Sequence, residues 1–291
     1  METKLTFSVI GGDRRQIECI HLLLDRGHRV NVLGLDNFKD SRANLFTKIQ
    51  RELFLCDVLL LPIPYKNRSG HINIGQSCLQ VSLSEIEEYL GDYKPLLVLG
   101  KADGEFEDLA LAKGLSYIDI TQLESFAILN AIPTAEGAIQ RAMEMTDRTL
   151  HGSKILVLGY GRIGKSLSRM LKGIGADVSV EARKEEDLAW ILENGYRPVP
   201  LKDLEGVLPF QDIIFNTIPH LILDRKKLKK LSKNAIIIDL SSYPGGVDFT
   251  SAKELDIKAS LDLGLPGKVA PITAGRIIFE VMMDCIGDRL K

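Results

Sequence analysis

One stretch of this sequence decides the fold of its second half: Lys154-Ile155-Leu156-Val157-Leu158-Gly159-Tyr160-Gly161-Arg162-Ile163-Gly164. The aliphatic run predicts a buried strand, and the three glycines follow it at G-x-G-x-x-G spacing and open a helical pattern. Gly159 permits a tight turn, Gly161 lets the backbone approach a pyrophosphate, and Gly164 lets the next helix pack on the strand. The first N–H groups of that helix would point at phosphates. We therefore predict a dinucleotide site, in which Arg162 and Ile163 also take part.

The end of the next predicted strand, residues 175–180, indicates which dinucleotide binds. Enzymes selective for NAD place an acidic residue there, where it binds the ribose 2′-hydroxyl. This chain has Ala182, Arg183 and Lys184, which leave room for a 2′-phosphate and offer charge to it. We therefore predict NADP; the alternative is that Arg183 and Lys184 simply belong to a solvated loop. Strand alternation directs Glu181 to the other face of the sheet, but a register shifted by one residue would make it the ribose ligand and favour NAD.

Composition is typical of a globular protein of two domains, with 291 residues, 45% of them apolar and 26% charged. The net charge of −2 gives no indication of nucleic acid or of an acidic membrane as a partner. No apolar run approaches the roughly 18 residues of a membrane span, and residues 1–4 lead directly into a predicted strand. The four cysteines lack C-x-x-C spacing, so we expect reduced thiols, no metal and a cytoplasmic location.

Strands alternate with helices along the whole chain, which is typical of an α/β fold. We predict two Rossmann-like domains with parallel sheets, linked by a long helix and separated by a cleft: residues 1–133 for the substrate and 134–271 for NADP. A last helix, residues 272–291, is expected to return to the first domain. Ser84 and Glu87 have capping-box spacing, and Pro133 is expected to precede the linking helix, which would run from Thr134 to about Arg148. Predicted strands lie at 5–10, 29–33, 57–61, 96–99 and 116–118 in the first domain, and at 213–215, 235–240 and 259–261 in the second.

Three loops follow predicted strands of the second domain and should lie at the carboxyl edge of its sheet, where ligands bind. Proline and glycine restrict their backbones, and their short polar side chains can hydrogen-bond a ribose or a nicotinamide amide. Ordinary turn chemistry would explain each loop equally well. The predicted cofactor contacts in these loops are Asn216, Thr217, Ile218, Pro219, Leu240, Ser241 and Pro266.

A set of motifs spread over nearly the whole length resembles the dipicolinate synthase A-subunit family of spore-forming bacteria. The second half is also similar, more distantly, to the cofactor domain of D-isomer-specific 2-hydroxyacid dehydrogenases. The motifs are Val9-Ile10-Gly11-Gly12-Asp13-Arg14-Arg15-Gln16, Ile132-Pro133-Thr134-Ala135-Glu136-Gly137, His151-Gly152-Ser153, the glycine fingerprint, Asn216-Thr217-Ile218-Pro219, Pro244-Gly245-Gly246, and residues 264–271.

The resemblance implies an activity that spacing cannot reveal. It implies that NADP oxidises 4-hydroxy-tetrahydrodipicolinate, or its dehydrated dihydro form, to pyridine-2,6-dicarboxylate in the mother-cell cytoplasm during sporulation. It also implies a second polypeptide as partner, the dipicolinate synthase B-subunit, which resembles flavodoxin-like proteins. In addition, we expect the chain to form a homo-oligomer.

A dicarboxylate substrate requires cations or clustered N–H groups. The turn that contains Gly12 offers both, and we predict Arg14 or Arg15 as the anchor of one carboxylate. Alternatively, Arg15 begins a helix and faces water. Lys268 and Thr273 are candidates for the other carboxylate, and Thr134 is a further predicted substrate contact.

Proton transfer is the step that the sequence determines least. His220 is a candidate because histidine is the residue type that most often transfers protons near neutral pH, but it could simply belong to a turn. Glu136 and Asp239 are alternatives, and Glu136 could instead be a carboxylate at a helix start. The chain could also act mainly by orienting cofactor and ring.

Two rival functions stay open. The first is an NADP-dependent oxidoreductase of 2-keto or 2-hydroxy acids, a class that generally uses an arginine where this chain has Ser241-Ser242-Tyr243. The second is an NADP-binding scaffold without catalysis, which positions a partner protein.

Overall fold

The computed structural model describes residues 4–75 and 77–289. It divides the chain into two compact units, the first made of Met1–Leu129 with Pro271–Lys291 and the second of Asn130–Ala270. The outer limits of the predicted domains, at residues 1 and 291, and the predicted last turn of the final helix, at Leu290, lie outside the described residues.

The first unit is a parallel α/β sheet. Its described strands are ordered β3-β2-β1-β4-β5-β6, so the order reverses between β1 and β4, where the carboxyl ends of the strands leave a crevice. The elements are β1 (Thr6–Ile10), α1 (Arg14–Asp25), β2 (Arg29–Leu33), β3 (Asn44–Phe46), β4 (Val58–Leu60), α2 (Leu83–Leu90), β5 (Leu96–Leu99), α3 (Gly104–Lys113) and β6 (Tyr117–Asp119). The next helix, α4 (Glu124–Met145), begins in the first unit and continues into the second, which starts at Asn130.

The second unit repeats this plan, and its described strands are ordered β12-β11-β10-β7-β8-β9, again parallel throughout. The prediction of an α/β fold with two Rossmann-like parallel sheets is therefore confirmed. Its elements are β7 (Lys154–Leu158), α5 (Arg162–Ile174), β8 (Asp177–Ala182), α6 (Glu185–Glu193), β9 (Arg197–Pro200), α7 (Leu204–Val207), β10 (Ile213–Asn216), α8 (Arg225–Leu228), β11 (Ile236–Asp239), α9 (Phe249–Glu254), β12 (Lys258–Leu261) and α10 (Leu265–Val269). The last helix, α11 (Pro271–Arg289), belongs to the first unit and packs on α1.

Each sheet is covered on both faces, which is why its strands are continuous apolar runs instead of alternating patterns. In the first unit, Phe7 and Val9 of β1 belong to the core cluster that α1 and α11 cover, while Ile10 belongs to the cluster on the other face. In the second unit, Val157 of β7 belongs to the core cluster on one face of the sheet and Leu158 to the cluster on the other face. No described helix is long and apolar enough to cross a membrane.

The start of α4 was predicted wrongly. The helix begins at Glu124, before the predicted start at Thr134, and Pro133 lies inside it. A proline removes one helical N–H donor and usually ends or kinks a helix. Here buried residues on both sides of it, Phe126 and Ala135 among them, hold one continuous helix, and this packing outweighs the local cost of the proline.

The capping box of α2 was also predicted wrongly, by two residues. Ser82 is the N-cap, where its Oγ accepts from the N–H of Glu85 at 3.2 Å and its own N–H donates to the Glu85 carboxylate at 2.8 Å. The sequence contains two overlapping matches to this motif, and only burial of Leu83 and Ile86 selects the first. The short strand β3 had no prediction, since three residues are too few for a periodic pattern.

Candidate dinucleotide site

The glycine turn after β7 has the geometry that a dinucleotide requires. Gly159 has φ of 92°, a conformation that favours glycine. A Cβ at Gly164 would collide with the carbonyl oxygen of Gly159, so α5 packs directly against the turn. No described heavy atom within 4 Å would meet a Cβ at Gly161, so the backbone there is open to a ligand.

The start of α5 is not capped by a side chain. Gly161 occupies the N-cap position and has no side chain to accept the first N–H groups of this 13-residue helix. Those donors and the positive end of the helix dipole form an anion site. Arg162 is exposed on the first turn, and Ile163 packs against the core cluster of the unit. The turn therefore fits a pyrophosphate.

The end of β8 has the register that the sequence predicts. Ala182 lies with Val178 and Val180 in the core cluster on one face of the sheet. Glu181 pairs with Leu158 of β7, which belongs to the cluster on the opposite face, and Glu181 is only 1% exposed. Glu181 and Ala182 therefore point to opposite faces.

Glu181 is a buried carboxyl group whose two oxygens have no hydrogen-bond partner among the described residues. Burial raises its pKa above the ordinary value of 4.5, against smaller opposing effects of the Gly159 N–H and the Arg183 charge. Desolvation is the cause of this shift, because burial disfavours the charged form of a carboxyl group.

Arg183 and Lys184 follow directly after β8, and both are exposed. Neither forms a salt bridge in the part of the chain that the structure describes. Lys184 is the N-cap residue of α6, whose first turn carries Glu185, Glu186 and Asp187. The two cations are thus available at the strand end that contacts the adenosine ribose in this fold.

Asp239 connects the loops at the carboxyl ends of β10 and β11 through hydrogen bonds. This residue is fully buried, and one of its oxygens accepts from Asn216 Nδ2 at 2.9 Å, Ser241 N at 2.9 Å and Ser241 Oγ at 2.7 Å. The other oxygen accepts from Gly246 N at 2.7 Å. A carboxylate with so many donors is held in place, so the structure argues against the hypothesis that Asp239 is a catalytic base. It is instead a positioning residue for the two loops.

The other predicted cofactor contacts lie on these loops or beside them. Thr217 ties its loop to β7, because its Oγ1 donates to the carbonyl of Leu158 at 2.8 Å. Asn216 Nδ2 also donates to the carbonyl of Ile218 at 3.0 Å. Pro219 is exposed, Leu240 and Ser241 are buried after β11, and Pro266 is buried in α10.

The glycine turn of the first unit differs from the one in the second. The N–H of Gly12 donates to the carbonyl of Asn73 at 2.9 Å, and Gly75 N donates back to the carbonyl of Gly12 at 3.2 Å. Ile74 lies against Gly11, where a Cβ would come within 2.8 Å of its Cγ1. The N–H of Gly12 is therefore not available to a substrate carboxylate, which corrects the prediction of an N–H-rich anchor.

The start of α1 is capped as well. Asp13 and Gln16 form a capping box, a pair that sequence reasoning missed although its spacing is visible in the sequence. Arg15 forms a two-pronged ion pair with Asp13 and donates to the carbonyl of Ile63 at 2.6 Å. Arg15 is therefore neither solvated nor available as an anchor. Arg14 is exposed and has no partner among the described residues, so it remains the candidate of the two.

The remaining candidates occupy different environments. Thr134 uses its hydroxyl within α4, donating to the carbonyl of Asn130 at 2.7 Å. Glu136 is exposed in the interior of the same helix, so it is not a helix-start carboxylate. Lys268 is exposed on α10, Thr273 is exposed in the first turn of α11, and His220 is exposed in the loop after β10.

Two family models match the chain. Residues 6–121 match the N-terminal domain of the dipicolinate synthase A-subunit. Residues 127–242 match the NAD binding domain of D-isomer specific 2-hydroxyacid dehydrogenases. The second unit therefore contains an NAD(P)-binding domain of the dehydrogenase type.

Known relatives match over almost the whole chain. The dipicolinate synthase A-subunit of Bacillus subtilis is 33% identical, over 99% of this chain and 98% of the relative. The crystal structure of the same protein from Bacillus halodurans superimposes with a TM-score of 0.90 at 33% identity, covering 98% of both chains. D-lactate dehydrogenase of Escherichia coli gives a TM-score of 0.63 at 15% identity over 98% of this chain and 96% of that one, which shows a shared fold.

Proposed function

Because the chain belongs to the dipicolinate synthase A-subunit family, we propose that it oxidises a cyclic precursor to pyridine-2,6-dicarboxylate with NADP as the hydride acceptor. The observation that carries this proposal is the match over almost the entire chain to the Bacillus subtilis relative. The open glycine turn of the second unit supports it, because the backbone at Gly161 is accessible and the first N–H groups of α5 have no side-chain cap.

The proposed reaction has two steps, a dehydration and an oxidation. 4-Hydroxy-tetrahydrodipicolinate loses water to give dihydrodipicolinate. The dihydro ring then loses a hydride to NADP and a proton to a base, which leaves the aromatic pyridine-2,6-dicarboxylate and NADPH. Aromatisation makes the second step strongly favourable, so the chain needs chiefly to hold the ring carbon near the nicotinamide.

The preference for NADP rests on the end of β8. Ala182 leaves space at the ribose, and Arg183 and Lys184 supply positive charge for a 2′-phosphate. The burial of Glu181 on the opposite face supports this assignment, since the carboxyl group is not placed to bind a ribose 2′-hydroxyl.

His220 and Glu136 remain the candidates for the proton acceptor. Both are exposed, so water could also take the proton. For the substrate we propose Arg14 as a carboxylate anchor, with Thr134, Lys268 and Thr273 as further candidates.

The name of the Bacillus subtilis relative describes one subunit of a synthase, which supports a partner protein for this chain. We propose that this partner is a flavodoxin-like B-subunit. We further propose that the chain assembles as a homo-oligomer and acts in the mother-cell cytoplasm during sporulation.

The test is NADPH formation from freshly generated 4-hydroxy-tetrahydrodipicolinate, with NAD as the cofactor control, in the presence and absence of the B-subunit. Turnover by the chain alone identifies it as the dehydrogenase. Cofactor binding without turnover in either mixture would contradict the proposal and favour the scaffold. A 2-keto acid reductase is disfavoured because Ser241, Ser242 and Tyr243 occupy the segment where that class carries an arginine.

A further inference from the structure

Lys101 has a backbone conformation that its residue type seldom adopts. It follows β5 by two residues and has φ of 62°, and among the described non-glycine residues only Asp256 also has a positive φ. A side chain with a Cβ is strained in this region, and such residues concentrate at functional sites where the surroundings impose them. The groups that hold Lys101 in this conformation therefore need to be identified.

A buried carboxylate imposes this conformation. Asp119, only 9% exposed, accepts from Lys101 N at 3.1 Å and from Ala102 N at 2.9 Å, one bond to each of its oxygens. Thr121 Oγ1 accepts from the same Lys101 N–H at 3.1 Å, and Thr121 itself donates to Asp119. The turn after β5 is thus fixed by backbone N–H groups and two other side chains, and its shape does not depend on the lysine side chain.

The ammonium group of Lys101 is not used within the unit. The side chain is exposed and has no salt bridge or hydrogen bond with any residue that the structure describes. The acidic groups nearby in sequence have another cation, because Lys66 pairs with both Asp103 and Glu105. Tyr65 also donates to Asp103. Lys101 therefore keeps its positive charge available to a ligand.

The location of this charge fits a dicarboxylate. β5 is separated from β1 only by β4, and the strand order reverses between β1 and β4. Neighbouring strands lie about 4.8 Å apart, so the ends of β1 and β5 are roughly 10 Å apart. Arg14, the exposed cation after β1, and Lys101, the exposed cation after β5, thus flank the crevice in which α/β sheets bind ligands.

We propose that Lys101 binds one carboxylate of the substrate and that Asp119 and Thr121 are positioning residues that hold it there. This inference rests on the proposed function, because the dicarboxylate ligand is the substrate that the proposed function assigns to the chain. A long, flexible lysine side chain on a rigid turn can hold the charge of a carboxylate without fixing the orientation of the substrate ring.

The experiment uses the full chain and measures binding of pyridine-2,6-dicarboxylate by calorimetry, together with the KM for the cyclic substrate. The variants are Lys101→Ala and Lys101→Gly. The matched control is Lys94→Ala, which removes an exposed lysine from the opposite end of β5. We expect both Lys101 variants to weaken dicarboxylate binding and to raise this KM by about tenfold or more, with KM for NADP unchanged. Lys94→Ala should change neither value.

Lys101→Gly separates binding from folding. Glycine adopts the left-handed conformation without strain, so this variant should unfold at a temperature no lower than the wild type while binding is lost. Unchanged dicarboxylate affinity in both Lys101 variants would overturn the inference, and so would full binding by Lys101→Gly with loss only in Lys101→Ala. Absence of dicarboxylate binding by the wild type would contradict the proposed function itself, and with it the inference about Lys101.

Discussion

In the proposed NADP site, Arg183 is the residue that we expect to affect the choice of cofactor most directly. It is exposed at the end of β8, beside the small Ala182, where a 2′-phosphate would lie. A charge-assisted hydrogen bond contributes about 1.5–3 kcal/mol, or roughly tenfold to a hundredfold in affinity. We therefore expect Arg183→Ala to raise the KM for NADP by about tenfold or more and to leave the KM for NAD unchanged.

The control for this prediction is Arg169→Ala, which removes the same charge from the exposed side of α5. Equal losses of NADP affinity in Arg183→Ala and Arg169→Ala would mean that the overall positive charge of the domain, and not a contact made by Arg183, determines the affinity. A loss of NAD affinity in Arg183→Ala would contradict the assignment of Arg183 to the 2′-phosphate.

Glu181 makes a pH-dependent contribution to stability. Because burial raises its folded-state pKa above the ordinary 4.5, the folded state keeps this proton more tightly than the unfolded chain. Stability is then lost as pH rises from about 4.5 through the folded-state pKa. Glu181→Gln should remove this dependence, so its unfolding temperature should rise relative to the wild type as pH increases from about 4 to about 8.

Glu193→Gln, at an exposed position of α6, serves as the control and should show no such trend. A constant difference in unfolding temperature between Glu181→Gln and the wild type at all pH values would contradict this prediction, because it would mean that folding does not shift the pKa of Glu181.

At the scale of elements, α5 offers a matched pair of glycines. A methyl group at Gly164 would collide with the carbonyl of Gly159, whereas no described atom lies within 4 Å of one at Gly173. Gly164→Ala should destabilise the protein by about 1–3 kcal/mol and weaken NADP binding, because the helix must move away from the turn. Gly173→Ala should be neutral or stabilise by up to about 1 kcal/mol.

Thermal unfolding and NADP titration of the two variants test this prediction. Equal behaviour of Gly164→Ala and the wild type would mean that α5 can shift without cost, and the turn would then not be a rigid phosphate site.

The elements also show why some features could be predicted from the sequence and others could not. β7 and its turn were predictable, because an aliphatic run and three spaced glycines are local signals. The start of α4 was not, since burial around Pro133 outweighs its local effect. The partner of Arg15, the carbonyl of Ile63, is distant in sequence, and nothing local indicates it.

The two units share one topology, but among the residues that the structure describes the glycine turn of the first unit is covered and that of the second unit is open. In the first unit, Asp13 and Gln16 cap α1 and Ile74 covers the glycines. In the second unit, α5 has no side-chain cap. We therefore expect calorimetry to find one NADP bound per chain. Two equivalent sites would contradict this interpretation of the first unit.

At the same scale, the parallel α/β class of both sheets was predictable, because alternating strand and helix patterns lead to it. The edge strands β3 and β9 had no prediction, and neither had the strand order. The chemical roles of the candidate site residues were less predictable. Asp239 could be taken for a base until its donors Asn216, Ser241 and Gly246 were located, since hydrogen bonds between loops leave no periodic trace in the sequence.

The most direct test of the central proposal is a simultaneous measurement of NADPH and pyridine-2,6-dicarboxylate after the purified chain, with the B-subunit supplied, meets freshly generated 4-hydroxy-tetrahydrodipicolinate and NADP. We predict that the two products form in equal amounts, because each aromatised ring releases one hydride. Dicarboxylate formed without an equal amount of NADPH, or no dicarboxylate at all, would contradict it.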